Sequence, residues 1–373
     1  MSELAAPCVT PALHTGRVDL TLGYVPLTDA APVLVAAAKG LFARHGVSVA
    51  LAPAGSWSAL RDRVAVGAWD GAQMLGPMPL ACHFGLGGLA ANLGVTATLG
   101  RNGNMLVLSH RLVAELGGLE WPLAAATLAP VLAARRAAGR PAVLAVVFPY
   151  SSHNYLLRHW LAAAGIDPDH DVRLVVLPPS ALPDALADGT IDGFCAGEPW
   201  GSRAVDLDVG QIVLGSVQLW PGHPEKVLAF SAAALARDPA PALAATAAMI
   251  EAAAWLADPA NLAESIAILH RTALPAVPPA VIALAVHQQI IRSAGGAAIA
   301  LPGAIVHAAA ATRPEPAHAA WWLAAMQRWG HAPPDGASAA TIWRPDLWQR
   351  AHALTGLPPL PIFTDYPPFS RSL

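Results

Sequence analysis

Two separate stretches of this chain alternate strand-like and helix-like runs in the same order, and that alternation limits the available folds more than any other feature. The first opens with Val18–Val25, where apolar and polar residues alternate as in a half-buried strand. Pro26–Asp29 reads as a turn, and Ala30–His45 as a helix with Asp29 as its N-cap and Gly46 as its stop. Val47–Leu51 is a second strand, Leu60–Val66 a short helix and Gly71–Leu75 a third strand. The second stretch begins near Pro141, after an Ala- and Arg-rich helix over Ala124–Ala138. Ala142–Phe148, Val172–Leu177 and Gly193–Ala196 read as strands, with helices over Tyr155–Ala164 and Ala181–Asp188 between them. Strands alternating with helices imply parallel, doubly wound sheets. At 373 residues the chain has room for two such α/β lobes of roughly 150–200 residues each.

From Pro239 onward Ala-rich helix dominates, jointed at Pro275–Pro279 and Pro333–Gly336. Trp321, Trp322, Trp329, Trp343 and Trp348 are too many large apolar groups for a solvated tail, so these helices are expected to pack back on the lobes. No internal repeat of 20–50 residues is visible.

The residues are 55% hydrophobic and 13% charged, and the excess is mostly Ala, Leu and Val. The positive mean hydropathy therefore reads as alanine richness before it reads as membrane. The most apolar stretches, such as Ala242–Leu256, are bounded by Pro, Glu or Asp short of the ~20 residues that a bilayer crossing needs. A net charge of −3 with scattered charges gives no basic stripe, which argues against nucleic acid as a partner. Cys8, Cys82 and Cys195, an odd number without CxxC spacing, suggest a reducing compartment or plain structural thiols. Met1–Arg17 lacks the positive and long apolar regions of a secretory signal, so a cytoplasmic location is expected.

A specific resemblance appears in GYVPLTDAAPVLVAAAKGLF from Gly23 and in SWSALRDRVAVGAWDGAQMLGPMP ending at Pro79. It resumes in FPYSSHNYLLRHWLAAAGIDPDHDVRLVVLPP, GTIDGFCAGEPWGSRAV and LWPGHPEKVLAF, and persists through RPDLWQRAHALTG near the end. The chain resembles the nitrate and bicarbonate branch of the solute-binding proteins, which holds receptors of ABC importers and the cytoplasmic nitrate/nitrite sensor NasS. That resemblance implies a two-lobed, type II periplasmic-binding-protein-like α/β fold, each lobe a doubly wound, mostly parallel sheet with additional C-terminal helices. The expected division is 18–105 for the first part of lobe 1, 106–225 for lobe 2, and 226–373 for the return to lobe 1 and the C-terminal helices.

A planar monoanion leaving water needs positive charge, N–H donors and a flat apolar wall, because an unpaired buried anion costs several kcal/mol. By resemblance, Trp57, His153, Gly197 and Lys226 fall on the family's ligand positions, and a fifth, amide-bearing position falls on Asn104 or Asn102. Lys226 is one of only two lysines, beside Lys39, against twenty arginines, so its retention suggests that a compact point charge is wanted. The alternative is a solvated loop lysine. In the bicarbonate-binding relatives this neighbourhood is acidic, so Lys226 points toward nitrate. His153 sits in PYSSHNY between a strand and a helix, where helix N–H groups favour an anion. Trp57 follows Gly55 and Ser56 in what reads as a loop; it offers a flat wall and an indole N–H, or simply packs under the loop. Gly197 admits close backbone approach, or merely makes a tight turn before Pro199. Gln73 stands where the family often has His, and Ser151-Ser152-His153 where it often has Gly-Thr-His, which leaves nitrate against nitrite open. No cofactor and no metal is expected.

The same bilobal fold hosts enzymes, including a thiamine-pyrimidine synthase and a desulfinase. Here Cys82-His83 is the only adjacent Cys/His pair, and GxSxG, HExxH and phosphate-loop motifs are absent from the sequence. A binding protein is therefore expected. The missing leader favours a cytoplasmic nitrate/nitrite sensor, whose partner by resemblance is an ANTAR-type antiterminator; the alternative is the substrate-binding component of an anion importer. Hinge crossovers are expected near Arg101–Ser109 and Gly215–Val227, so that closure on the anion would alter the surface shown to the partner.

Overall fold

The computed structural model describes residues 18–333 and 341–361. Strands β1 (Leu20–Tyr24), β2 (Val49–Pro53), β3 (Gly71–Leu75) and β4 (Leu93–Thr98) come first, followed by the two-residue β5 (Arg101–Asn102). Then come β6 (Asn104–Ser109), β7 (Ala142–Val146), β8 (Val172–Val176), β9 (Gly193–Gly197) and β10 (Gly210–Gly215), and after them β11 (Lys226–Ser231). One five-stranded sheet has the order β2-β1-β3-β11-β4 and the other β10-β6-β9-β7-β8. The chain thus leaves the first sheet after β4, builds the second from β6 to β10, and returns through β11.

Four of the five strands in each sheet run in the same direction, as expected for mostly parallel sheets, and a single strand in each, β11 and β6, is reversed. β1 is parallel to β2 and β3, and β7 to β8 and β9, but β11 is antiparallel to β3 and β4, and β6 to β9 and β10. The reason is the double crossing: a strand arriving from the other lobe enters at the edge where the resident strands end, so it must run against them. Lys226 at the start of β11 pairs with Leu75 at the end of β3, and Asn104 at the start of β6 pairs with Gly197 at the end of β9. The carboxyl ends of the strands are where open α/β sheets place their ligands.

Local differences have local causes. The helix read as Ala30–His45 is two, Ala31–Ala38 and Leu41–Arg44, broken at Gly40 with φ +66°. Asp29 is not its cap; the N-cap position is Ala30 and no side chain caps it. Trp57 is not in a loop but opens the helix Trp57–Ala65, where the Ser56 hydroxyl accepts from Ala59 N–H at 3.2 Å. Beyond Pro239 the reading missed β12 (Gln289–Ile291), β13 (Ala298–Ala300) and β14 (Ile305–Val306), which are too short for an alternating pattern to show. The joint at 334–336 lies outside the described residues, as does Cys8.

The helix Pro239–Leu256, with 18 residues, is long and apolar enough to cross a membrane by length and composition, contrary to expectation. It is 61% buried within the protein, packed between the helices Ala31–Ala38 and Pro345–Thr355 beneath the first sheet, which identifies it as a core helix.

The crossings are fastened to each other. Asn102 N–H donates to His223 O at 3.0 Å, Glu225 N–H to Gly100 O at 3.2 Å, and the buried Arg101 guanidinium to Gly222 O at 3.1 Å. β14 pairs with β5 beside them. The C-terminal tryptophans pack inward: Trp322 is fully buried, 4.4 Å ring to ring from Trp321, and it meets Tyr155 of the second lobe at 6.5 Å. A Cβ on Gly76, in the first lobe, would come within 3.0 Å of the Trp322 Nε1. Trp322 therefore fills the seam where the lobes meet. Its replacement should open a cavity: Trp322→Ala is expected to cost about 3–5 kcal/mol, whereas Val66→Ala, at a residue 62% exposed, should stay within about 0.5 kcal/mol. Urea unfolding midpoints of the two variants test this, and equal midpoints would remove Trp322 from the core.

Candidate functional site

Where the carboxyl ends of β3 and β9 face the incoming β6 and β11, seven segments bring polar side chains together out of solvent. From the first lobe come Asp29, in the short 3-10 turn after β1, Gln73 of β3, and Trp57 at its helix start. From the second come Asn104 at the start of β6, Ser152 and His153 in the first turn of the helix Ser152–Ala163, and Gly197 at the end of β9. His223, Glu225 and Lys226 arrive on the returning crossover. All of these side chains are buried.

At the centre is the Lys226 ammonium, 0% exposed, between Glu225 Oε1 at 2.7 Å and Asp29 Oδ2 at 2.8 Å. Burial alone would drive a lysine toward its neutral form; the two carboxylates more than offset this and raise its pKa. Glu225 is held as densely. Its Oε1 also accepts from the Ser152 hydroxyl at 2.5 Å, and its Oε2 from the Asn104 amide at 2.7 Å. His153 Nε2 lies 3.8 Å from Oε1 and His223 Nδ1 3.6 Å from Oε2. Burial pushes the Glu225 pKa up, but Lys226 and the two imidazoles outweigh it and bring it to about 2. Asp29 accepts from Gln73 Nε2 at 2.8 Å, while Gln73 Oε1 takes Val25 N–H at 3.1 Å. For Asp29, burial prevails over Lys226 and its pKa is raised. Burial also lowers His223 and brings His153 to about 3, so both imidazoles are uncharged at neutral pH.

Lys226 is not a solvated loop lysine, nor is it a free cation: the neighbourhood is acidic here as well. Sequence reasoning missed Asp29, which was read as a cap, and gave no role to Glu225, Ser152 or His223. The available signal was Glu225 itself, next to Lys226 in HPEK, since a buried lysine requires a buried acid. Gln73, read only as a departure from pattern, orients Asp29.

The five expected positions are brought together. Lys226 Nζ sits 5.5 Å over the Trp57 ring. A Cβ on Gly197 would meet Leu27 at 3.2 Å, Asp29 Oδ2 at 3.3 Å and Asn104 Oδ1 at 3.7 Å, so glycine is what lets the lobes meet there. Thr28 N–H, in the first lobe, donates to Glu198 O of the second at 2.9 Å. Of the two asparagines, Asn104 lies in the cluster, while Asn102, at φ +58°, donates to Gly303 O at 2.7 Å in the β5–β14 strap. Trp57 Nε1, His153 Nδ1 and Asn104 Oδ1 are buried without a hydrogen-bond partner among the described residues. An orphaned buried polar atom costs about 1–3 kcal/mol, and a ligand oxygen or hydroxyl would relieve it. A larger cavity, about 410 Å³, lies among the helices of the first lobe, but its lining carries no Lys or Arg.

Cys82-His83 forms no dyad. Burial lifts the Cys82 thiol to about 12, and His83 Nδ1 bonds Asn92 Oδ1 at 3.0 Å. The Cys195 thiol, beside the site, is likewise raised by burial.

Removing the central charge should strand both acids. Lys226→Met is expected to lower stability by about 3–5 kcal/mol at neutral pH. Since uncompensated burial raises carboxyl pKa values, that deficit should shrink as the pH falls. Lys39→Met, which loses only the half-exposed pair with Glu264, should cost under about 1 kcal/mol. Thermal unfolding of both variants from about pH 7 to 5 decides; equal losses would mean that Lys226 is not buried.

Residues 15–270 match the NMT1-like family. The chain is 33% identical to the nitrate/nitrite binding protein NrtA of Synechococcus elongatus, over 90% of this chain and 78% of that one. It is 32% identical to the bicarbonate-binding protein CmpA of the same species, over 91% and 79%. The crystal structure of the periplasmic nitrate-binding protein NrtA from Synechocystis superposes with a TM-score of 0.84 at 29% identity, covering 91% of this chain and 89% of that one. The chain spans 38% and 49% of the length of the ATP-binding transport proteins that it also matches. With its fold, its two crossings and its length aligned to these solute-binding proteins, the chain belongs to the NMT1-like family, as a homologue of NrtA and CmpA.

Proposed function

We propose that the chain binds nitrate or nitrite between its lobes and serves as the solute-binding component of an anion importer. The observation that carries this reading is the convergence of polar side chains from both lobes and both crossings around one buried lysine, with Trp57 Nε1 and His153 Nδ1 left without a partner among the described residues. NrtA is a nitrate/nitrite binding protein and CmpA a bicarbonate-binding protein. A cavity of about 170 Å³ separates Val25, Pro26 and Gly55 of the first lobe from Pro179 and Trp200 of the second, marking the edge of the interlobe contact. Closure of the lobes by a hinge at the two crossings would bury the anion.

The cytoplasmic sensor with an ANTAR-type partner is the finer alternative. It rests on resemblance and on Met1–Arg17, which lies outside the described residues. The chain also matches part of the nitrate import ATP-binding protein NrtC and the bicarbonate transport ATP-binding protein CmpC, and that favours the importer. A neighbouring permease and ATPase would fit import; an ANTAR regulator next door would fit sensing.

Titration calorimetry should show nitrate or nitrite binding at one site per chain, with chloride weaker. At a hundredfold excess over Kd the folded state should gain about 2.7 kcal/mol, seen as a rise in Tm. No heat and no thermal shift with nitrate, nitrite or bicarbonate would end the proposal. A second outcome concerns closure. Gly197→Ala pushes a methyl group to 3.2 Å from Leu27 and 3.3 Å from Asp29 across the lobes. We expect anion affinity to fall roughly tenfold or more, about 1.4 kcal/mol, with little change in the Tm of the free protein. Unchanged affinity would show that the lobes do not close at Gly197.

A further inference from the structure

The cradle around Lys226 is already occupied by an anion of the protein's own. The Ser152 hydroxyl, the Asn104 amide and the Lys226 ammonium all donate to the Glu225 carboxylate, a planar group with two oxygens that resembles a small oxyanion in shape. The charges within the cluster also count against an incoming anion. With both carboxyls ionised, as their contacts with the Lys226 ammonium favour, Asp29 and Glu225 carry two negative charges and Lys226 one positive, which sums to −1 while His153, His223 and the Cys195 thiol are uncharged. A nitrate ion entering this cluster would meet like charge in a medium of low dielectric, where repulsion is poorly screened.

We infer that the cleft takes up its anion together with one proton, that Glu225 imposes this requirement, and that His153 receives the proton. The geometry separates His153 from the other candidates. His223 has both ring nitrogens engaged, Nδ1 at 3.0 Å from Pro224 O and Nε2 at 2.9 Å from Ser216 Oγ. Asp29 is bound to Gln73 through one oxygen and to Lys226 through the other, so protonating it weakens the hold on the Lys226 ammonium. His153 alone combines a ring nitrogen facing Glu225, at 3.8 Å, with a second, buried nitrogen that has no partner. One added proton puts an N–H on both nitrogens, so that the imidazolium faces the Glu225 carboxylate through Nε2 as an ion pair at 3.8 Å and can donate to a bound anion through Nδ1. The step is a proton transfer from solvent to imidazole; no covalent bond to the anion forms or breaks.

This inference rests on the cleft being the anion site, and the test keeps the two apart. Nitrate is titrated calorimetrically into the full chain near pH 6.5, in two buffers of very different ionisation enthalpy, and the affinity is then followed upward in pH. Uptake approaching one proton per nitrate should appear as a buffer-dependent heat, and affinity should fall by up to about tenfold per pH unit as the proton becomes scarce. The sign follows from linkage. If the complex raises the His153 pKa above its value in the free protein, binding is strongest at acid pH and weakens as pH rises through the raised value. His153→Gln, which keeps an amide donor but cannot take a proton, should abolish the buffer dependence and flatten the pH profile. Glu225→Gln, which removes one negative charge, should reduce proton uptake and bind nitrate better than the native chain at about pH 8. Nitrate binding with identical heat in both buffers and a flat pH profile would overturn the inference while leaving the anion site standing. Proton uptake that survives in His153→Gln would overturn the assignment to His153. Absence of nitrate binding at every pH would remove the anion reading and this inference together.

Discussion

The ammonium of Lys226, enclosed between Asp29 and Glu225, is the interaction on which the arrangement of the two lobes depends. A buried cation is stable only if its counter-charges are equally buried and their remaining lone pairs are satisfied. Asp29 belongs to the first lobe, while the Ser152 and Asn104 donors that hold Glu225 belong to the second. The cluster is therefore complete only when the lobes are together. Separating them would hydrate the charges and dismantle the network as a unit. Pairs of this kind contribute little net stability compared with a hydrophobic replacement, but they strongly disfavour arrangements in which one member is missing.

Topology explains why the cluster forms where it does. The crossing strands enter each sheet at the carboxyl ends of the resident strands, so the first residues of β6 and β11 face the last residues of β9 and β3. Apart from Gln73, in the middle of β3, the residues of the cluster lie near the beginning or end of an element or in the crossover itself, where direction can change. The crossings are bound to each other by backbone hydrogen bonds and held by the β5–β14 strap. Any hinge between the lobes would have to run through these two joined crossings.

Much of this was legible because it depends on periodicity and short motifs. The alternation of apolar runs shows β1, β2, β3, β7, β8 and β9 but not β4 to β6, and Trp57, His153, Gly197 and Lys226 lie in segments with family-specific strings, whereas the amide position was left between Asn102 and Asn104. What could not be read depends on partners distant in sequence. Nothing within a few residues of Asp29 distinguishes an N-cap from an ion-pair partner of Lys226, almost two hundred positions away. The one reversed strand in each sheet was hidden for the same reason, since its direction is set by the crossings and not by composition. β12, β13 and β14 escaped because two or three residues carry no period.

Asp29 and Glu225 also change what the lysine means. Taken alone, Lys226 is the positive charge that an anion requires; with its neighbours counted, the cluster is one charge short of neutral in the wrong direction. The same carboxylates that make a buried lysine possible repel the ligand it would attract, and the conflict cannot be removed by strengthening either contact. It can be relieved only by adding positive charge or taking negative charge away, and among these side chains an uncharged imidazole with one idle nitrogen is the group suited to do so. Anion affinity in such a cleft is then governed by the local proton balance as much as by the fit of the anion, which ties recognition to burial: the tighter the lobes close, the more each uncompensated charge matters.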